Sequence, residues 1–492
     1  MNGSIRRVGI VVMLLLIGLV AQLSYLQIFH AQALNDNPRN TRRLEARFAK
    51  PRGEILSADG KVLARSVPTT DLYKYQRQYP AGPLFAQIVG YHSLFRNTGV
   101  EAQYDTDLTG DSSSFDLANA KGLFTGKQVT GNVVLTLRSD LQFAAMSLLG
   151  DQKGSIIVMD TKTGGILAMY SNPSFDPGPM ASHDQHVVET TLKALDATHT
   201  DVPASYAGLY PPGSTFKVVT AGVALDTGLA TPTTPSYPIL QRLTLPQTSA
   251  TLANFGPPSN PERCGGTLAQ SFTVSCNTTF GQVGLNLGES FVPGMDKFGI
   301  GSTPPLDLRN PGAVASQGPS AGSFAQNKPQ FALAGIGQGP VAVSPLQMAL
   351  VAATVADNGV VPTPHVVDQI QDTDGGVVRR VNPGAWRTAI KPETAAELNT
   401  MMVSVVQSGT GTSARIPGVT VAGKTGTAQQ NCAPGVTPCS PHAWFIGFAP
   451  AEAPRYAVAV IVERGGSIGS EATGGHLAAP LAQKMLVEAL KH

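Results

Sequence analysis

The alternation of apolar and polar positions divides the chain into three stretches. Residues 8–29 form a single apolar run, interrupted only by Gln22, Ser24, Tyr25 and Gln27. A run of that length suits a helix that crosses a bilayer. Residues 30 to about 150 are mixed and charged, with short apolar runs at Glu54-Ile55-Leu56 and Val133-Val134-Leu135. They read as a β-rich linker domain. From Gly154 the texture changes. Residues 154–160 and 165–170 predict two strands, with Thr161-Lys-Thr-Gly164 as the turn of a hairpin. Pro211-Pro212-Gly213 then breaks the chain. Ser214 is expected as the N-cap of a helix running to about Asp226, with Gly228 just past its end. Residues 393–406 read as a helix that turns Leu398, Met401, Met402 and Val405 to the core. Three strand-like runs follow at 419–427, 443–449 and 456–462, then a helix at 477–490 with one apolar face. Strands, many helices, strands and a helix predict an α+β fold, with one central antiparallel sheet flanked by helices. The expected domains are 1–30, a cytoplasmic tip and membrane anchor; 31–150, a pedestal; and 151–492, the domain that carries the chemistry.

Composition adjusts this picture in a few places. The 492 residues exceed one ordinary domain, and 42% hydrophobic against 14% charged residues leaves ample material for a core. A formal charge of +2 argues against a nucleic-acid partner, which leaves a strong basic footprint. Arg6 and Arg7 before the apolar run favour a cytoplasmic N-terminus. Arg39, Arg42, Arg43, Arg47, Lys50 and Arg52 on the far side argue for the opposite orientation. The first orientation is preferred because the cysteines and the chemistry below belong outside the cell. Ala31-Gln32-Ala33 resembles a signal-peptidase site, but the length of the run favours a retained anchor. Cysteines 264, 276, 432 and 439 fall into two local pairs. In an exported protein these close as Cys264–Cys276 and Cys432–Cys439 disulfides; the alternative is four buried thiols. A zinc site from Cys432, Cys439 and His442 lacks a fourth ligand, so no metal is expected. Arg52 and Glu54 read as an ion pair of the pedestal, His442 as a packing or capping residue, and Trp386 as an isolated anchor.

Three short motifs carry candidate chemistry: Ser214-Thr-Phe-Lys217, Ser275-Cys-Asn277 and Lys424-Thr-Gly426-Thr427. Each is weak alone; their order, spacing and contexts make a strong signal together. Residues i and i+3 share a helix face, so the Lys217 amine can approach the Ser214 hydroxyl. A serine becomes nucleophilic when a base takes its proton, and a lysine is such a base once neutral. Burial and a second cation such as Lys424 both favour the neutral form. Ser275 and Asn277 suit proton relay and binding of a substrate amide. Lys424 with Thr425 or Thr427 suits a substrate carboxylate, and Gly426 leaves the strand edge clear for an extended peptide. The backbone N–H groups of Ser214 and Thr427 suit an oxyanion hole.

With these residues the chain resembles the class B penicillin-binding proteins, in particular the penicillin-binding protein A group of actinobacteria. Further matches are Pro51-Arg-Gly-Glu-Ile55, Gly99-Val-Glu101, Tyr104-Asp105, Tyr210-Pro-Pro-Gly-Ser214, Gly335-Ile-Gly-Gln-Gly339 leading into Ser344-Pro345, and His442-Ala-Trp-Phe445. The resemblance implies a membrane anchor, a non-catalytic pedestal and a penicillin-binding D,D-transpeptidase domain. It also implies a reaction: Ser214 attacks the penultimate D-Ala of a peptidoglycan stem peptide, releases D-Ala, and an amine on a neighbouring stem resolves the acyl-enzyme. β-Lactams would trap Ser214. By position, Lys217 becomes the general base, Ser275 and Asn277 assist proton transfer and binding, and Lys424, Thr425 and Thr427 hold the carboxylate. No cofactor is implied. Family members work with a polytopic glycosyltransferase, and the nearest group serves cell division. The stretch before Gly154 is too short for a glycosyltransferase domain. The 432–439 segment enlarges the loop after the third motif, a departure from the family pattern. The rivals are a β-lactamase, a D,D-carboxypeptidase using water, and a penicillin-binding sensor without turnover. The anchor and pedestal disfavour the first, the pedestal disfavours the second, and the intact motifs disfavour the third.

Overall fold

The computed structural model of the chain describes residues 2–29, 41–116, 129–382, 384–429 and 439–492. They fall into two compact units, residues 1–51 with 66–76 and residues 52–65 with 77–492.

The first unit contains the long helix Asn2–Phe29 and the short helix Thr41–Phe48. Within the long helix, Ile5–Leu26 has a mean hydropathy of 2.3 and no buried residue. Twenty-two residues at 1.5 Å each cover roughly the 30 Å of a hydrocarbon core, so this helix fits a single-pass anchor.

The second unit is organised by a five-stranded antiparallel sheet. Its strands are β1 (Gly154–Asp160), β2 (Ile166–Asn172), β3 (Ala422–Ala428), β4 (His442–Ala449) and β5 (Tyr456–Val462), in the order β3-β4-β5-β1-β2. Every residue of β4 and β5 is buried, so both faces are covered. Alternate residues go to opposite sides of a strand. Ile156, Val158, Phe445, Val458 and Val460 pack with helices α1 (Ser139–Leu149) and α6 (Ala479–Ala489). Ile157, Met159, Trp444, Ile446, Ala459 and Ile461 face the larger core. That core is built on α2 (Lys217–Asp226), α3 (Asn277–Leu287), α4 (Pro345–Ala356) and α5 (Pro392–Ser408). Helix α4 is buried on all sides, while α5 turns Leu398, Met401, Met402 and Val405 inward, as its periodicity predicts. The β1–β2 hairpin, the end of α2, β4 and β5 lie where the pattern places them, while β3 begins at Ala422, three residues later than the expected 419.

The pedestal is less regular than its pattern suggests. Ile55–Leu56 pairs antiparallel with Val62–Pro68 and parallel with Asn132–Leu135. Asn132–Leu135 in turn pairs with Val367–Gln371, so a hairpin from far down the chain completes this sheet. Short helices, Gly99–Gln103 and Asp105–Thr109, pack beside it. The expected Arg52–Glu54 ion pair is replaced by a buried cluster. Arg52 reaches Glu101 at 2.8 Å and Asp105 at 2.6 Å, and Arg77 reaches Glu101 at 2.5 Å. A fully buried carboxylate must be paired to offset its lost hydration, and two guanidinium groups do this for Glu101. Glu54 instead donates its backbone N–H to Asn132. His442 caps, accepting from the Arg464 N–H at 3.2 Å, and Trp386 is half-buried under the Arg387 guanidinium.

Candidate active site

Ser214 does not cap the helix. It lies inside a 3₁₀ turn, Gly213–Phe216, that precedes α2. Pro212 enters the turn in a right-handed conformation and Gly213 follows at φ +54°, so the chain is already coiled when it reaches Ser214. The consequence is chemical: the Ser214 hydroxyl is not spent on capping and makes no hydrogen bond among the described residues. The turn is held from behind. Gly213 N–H donates to Gly337 at 2.9 Å, the Thr215 hydroxyl donates to the Pro212 carbonyl, and the Trp444 indole donates to the Pro211 carbonyl at 3.1 Å.

Beneath the turn lie two buried amines. Lys217 opens α2, is fully buried, and sits over the face of Phe280. Its Nζ donates to the Ser275 carbonyl at 2.6 Å and to Asn277 Oδ1 at 2.8 Å, and lies 3.3 Å from Ser275 Oγ. Among the described residues no hydrogen bond joins Lys217 to Ser214, although spacing predicts their approach. Lys424, on β3, is equally buried and donates to Ser275 Oγ at 2.9 Å and to the Thr425 carbonyl. Burial pushes the Lys217 amine well below its usual value, and the neighbouring Lys424 pushes it further. Burial alone brings Lys424 down to about 7.

Ser275 is therefore the shared partner of both lysines. It adopts φ +63°, a conformation rare for a non-glycine residue. Cys276 beside it forms a disulfide with Cys264, and Asn277 is tied at its other end to the Ala253 carbonyl. Cys264–Gly266 pairs with Tyr237–Leu240, so the loop is braced against a ribbon. Cys439 is also disulfide-bonded; its expected partner Cys432 lies outside the described residues.

The third motif is the outermost strand of the sheet. Its small residues leave room for the large side chains of β4, with Gly426 paired to Trp444 and Thr425 to Phe445. Gly426 also meets a packing need. A Cβ there would stand 2.7 Å from the Pro212 carbonyl and 3.0 Å from the Thr215 methyl, so the glycine lets the Ser214 turn dock on the strand. The Thr427 carbonyl points at Gly213. A strand residue directs its N–H and C=O to the same side, so the Thr427 N–H faces the Ser214 turn across the free edge.

Ser214, Ser275, Asn277, Thr425 and Thr427 all line one cavity of about 440 Å³. Lys217 and Lys424 lie behind its wall and do not line it. The cavity is also lined by residues that the motifs do not announce: Thr410, Thr412, Ser413, Thr473 and His476, with the apolar Phe255 and Val274. Thr410 Oγ1 is 2.6 Å from Thr425 Oγ1, and Gly474 N–H donates to Thr427 Oγ1 at 3.3 Å.

This fold and this site define a penicillin-binding serine acyl-transferase scaffold, and the comparisons agree. Residues 154–487 match the penicillin binding protein transpeptidase domain, and residues 52–134 match the penicillin binding protein A dimerisation domain. The chain belongs to the penicillin-binding protein transpeptidase family. It is 38% identical to the peptidoglycan D,D-transpeptidase PbpA of Mycolicibacterium smegmatis, covering 100% of this chain and 99% of that protein. It is 35% identical to the protein of the same name from Mycobacterium tuberculosis, again over 100% and 99%. The crystal structure of penicillin-binding protein A from M. tuberculosis superposes with a TM-score of 0.80 at 33% identity, over 90% of this chain and 100% of that one. Its penicillin G acyl-enzyme complex superposes with a TM-score of 0.80 at 34% identity, over the same shares.

Proposed function

We propose that this chain is a membrane-anchored peptidoglycan D,D-transpeptidase that works through an acyl-enzyme on Ser214. The observation that carries the reading is the environment of Lys217. A neutral amine has two hydrogens, and two carbonyl-type acceptors, Ser275 O and Asn277 Oδ1, stand at 2.6 and 2.8 Å to take them. The lone pair is then left for a hydroxyl proton. Catalytic hydrogen bonds tighten in the substrate complex, and the Ser214–Lys217 bond is one that substrate completes.

In this reading Ser214 Oγ attacks the carbonyl of the penultimate D-Ala of a stem peptide as its proton passes to Lys217. The N–H groups of Ser214 and Thr427 stabilise the oxyanion. Ser275 Oγ, between two lysine amines at 3.3 and 2.9 Å, hands a proton to the departing D-Ala nitrogen and is refilled from Lys217. An amine of a second stem peptide then attacks the ester, and Ser214 leaves with its proton restored. Lys424, held behind the wall, polarises Ser275 rather than touching the carboxylate. Thr425 and Thr427 receive that group. The N-terminus lies in the cytoplasm and the catalytic unit outside, where the Cys264–Cys276 disulfide persists. The proposal extends to β-lactams as covalent inhibitors, to a polytopic glycosyltransferase as partner, and to a place in cell division.

The test is the mass of the products formed from a stem-peptide donor and an amine acceptor. Loss of D-Ala with gain of the acceptor supports transpeptidation. Hydrolysis alone would replace it with a carboxypeptidase, and no turnover with a sensor.

A further inference from the structure

The geometry points to His476 as a specificity-determining residue whose imidazole receives the carboxylate of an anionic acyl donor, beside the hydroxyls of Thr425 and Thr427. The inference rests on reading the Ser214 cavity as the donor site.

The problem it answers is one of charge. A donor ending in D-Ala, like a penicillin, carries a carboxylate. Both lysine amines near the site are fully buried behind Ser275, engaged with Ser275 Oγ, Asn277 and backbone carbonyls. The side chains that face the cavity along β3 are neutral hydroxyls. Among the residues lining the cavity, the two ionisable side chains are Glu262 and His476. Glu262 would repel an anion, whereas His476 offers it a ring N–H donor.

His476 is also placed for the task. It lies in the turn Gly474–Ala478 that leads into α6. That turn is fastened to the carboxylate wall, because Gly474 N–H donates to Thr427 Oγ1. The His476 backbone is fixed by Thr473 Oγ1, itself a cavity residue. The imidazole is exposed and makes no hydrogen bond or ion pair among the described residues. A solvated surface histidine would have no reason to favour one donor over another, which is what separates the two readings.

The experiment compares acylation of the full chain by a thioester donor with a free terminal carboxylate and by its methyl ester. Wild type, His476→Gln and His476→Lys are measured, with thermal unfolding as a check on folding. The expected result is a roughly tenfold fall in the acid-to-ester rate ratio in His476→Gln, the worth of one charge-assisted hydrogen bond, and its recovery in His476→Lys. A ratio unchanged in His476→Gln, or lost equally in His476→Lys, overturns the assignment. Failure of wild type to form an acyl-enzyme on Ser214 would instead overturn the reading of the cavity.

Discussion

Replacing Gly426 with alanine tests how the Ser214 turn is held. A Cβ at this position would stand 2.7 Å from the Pro212 carbonyl oxygen, whereas ordinary contact begins at 3.4 Å. The difference, 0.7 Å, must be met by backbone movement, since the nearest atom belongs to the main chain. Trp444 crowds the added methyl as well, with its Cβ only 3.1 Å away. Pro212 precedes Ser214 by two residues, so the retreat displaces the Ser214 hydroxyl. Overpacking of this kind costs about 1–3 kcal/mol, and misplacing a reacting atom by nearly an ångström costs roughly 10- to 100-fold in rate. The assay is stopped-flow acylation by penicillin G, paired with thermal unfolding. Gly426→Ala is expected to lower both the rate constant and the melting temperature. The reasoning is refuted if the variant reacts with penicillin normally and keeps its stability. If only extended stem peptides were slowed, the glycine would serve the substrate edge rather than the turn.

Other consequences are open to similar measurement. Lys424→Met removes the cation that helps depress Lys217, whose first cause of depression is burial. Lys217 would then hold its proton to higher pH, so the acid limb of the acylation–pH profile should move upward; a downward shift would contradict the electrostatics. Reducing the Cys264–Cys276 disulfide, or Cys264→Ser, should destabilise the chain by about 3 kcal/mol and slow acylation, because Ser275 loses the brace that keeps it at φ +63°. An unchanged acylation rate in the reduced, folded protein would mean that the loop holds itself. Glu101→Gln leaves Arg52 and Arg77 buried without their shared carboxylate and should cost about 3–5 kcal/mol in thermal unfolding, yet spare acylation in the folded fraction. A loss of acylation out of proportion to unfolding would show that this cluster reaches the site.

Local signals in the chain carry their own geometry. The end of α2 at Asp226 follows from Gly228, whose φ is +74°, and the bounds of β1 and β5 follow from unbroken apolar runs between turn residues. The three motifs were legible because each packs its chemistry into three or four residues. What was not legible depends on distance along the chain. Glu101 displaces Glu54 as the partner of Arg52 from 49 residues away. Val367–Gln371 joins the pedestal sheet with no local cue. Thr410, Thr473 and His476 reach the cavity only because α5, β3 and α6 converge there. The capping of Ser214 failed for a nearer reason. Pro-Pro-Gly supplies the coiled entry by itself, and a serine that caps has no hydroxyl to offer. Asn277 reads as a substrate contact, and its tie to Lys217, 60 residues away along the chain, has no local cue.

The central claim is that Ser214 becomes acylated. The most direct measurement is labelling of the purified chain with a fluorescent penicillin, followed by mass spectrometry of the labelled peptide. The account predicts a long-lived adduct on the peptide containing Ser214, and none on a folded Ser214→Ala. An adduct on another residue, or label retained by the folded variant, would contradict it.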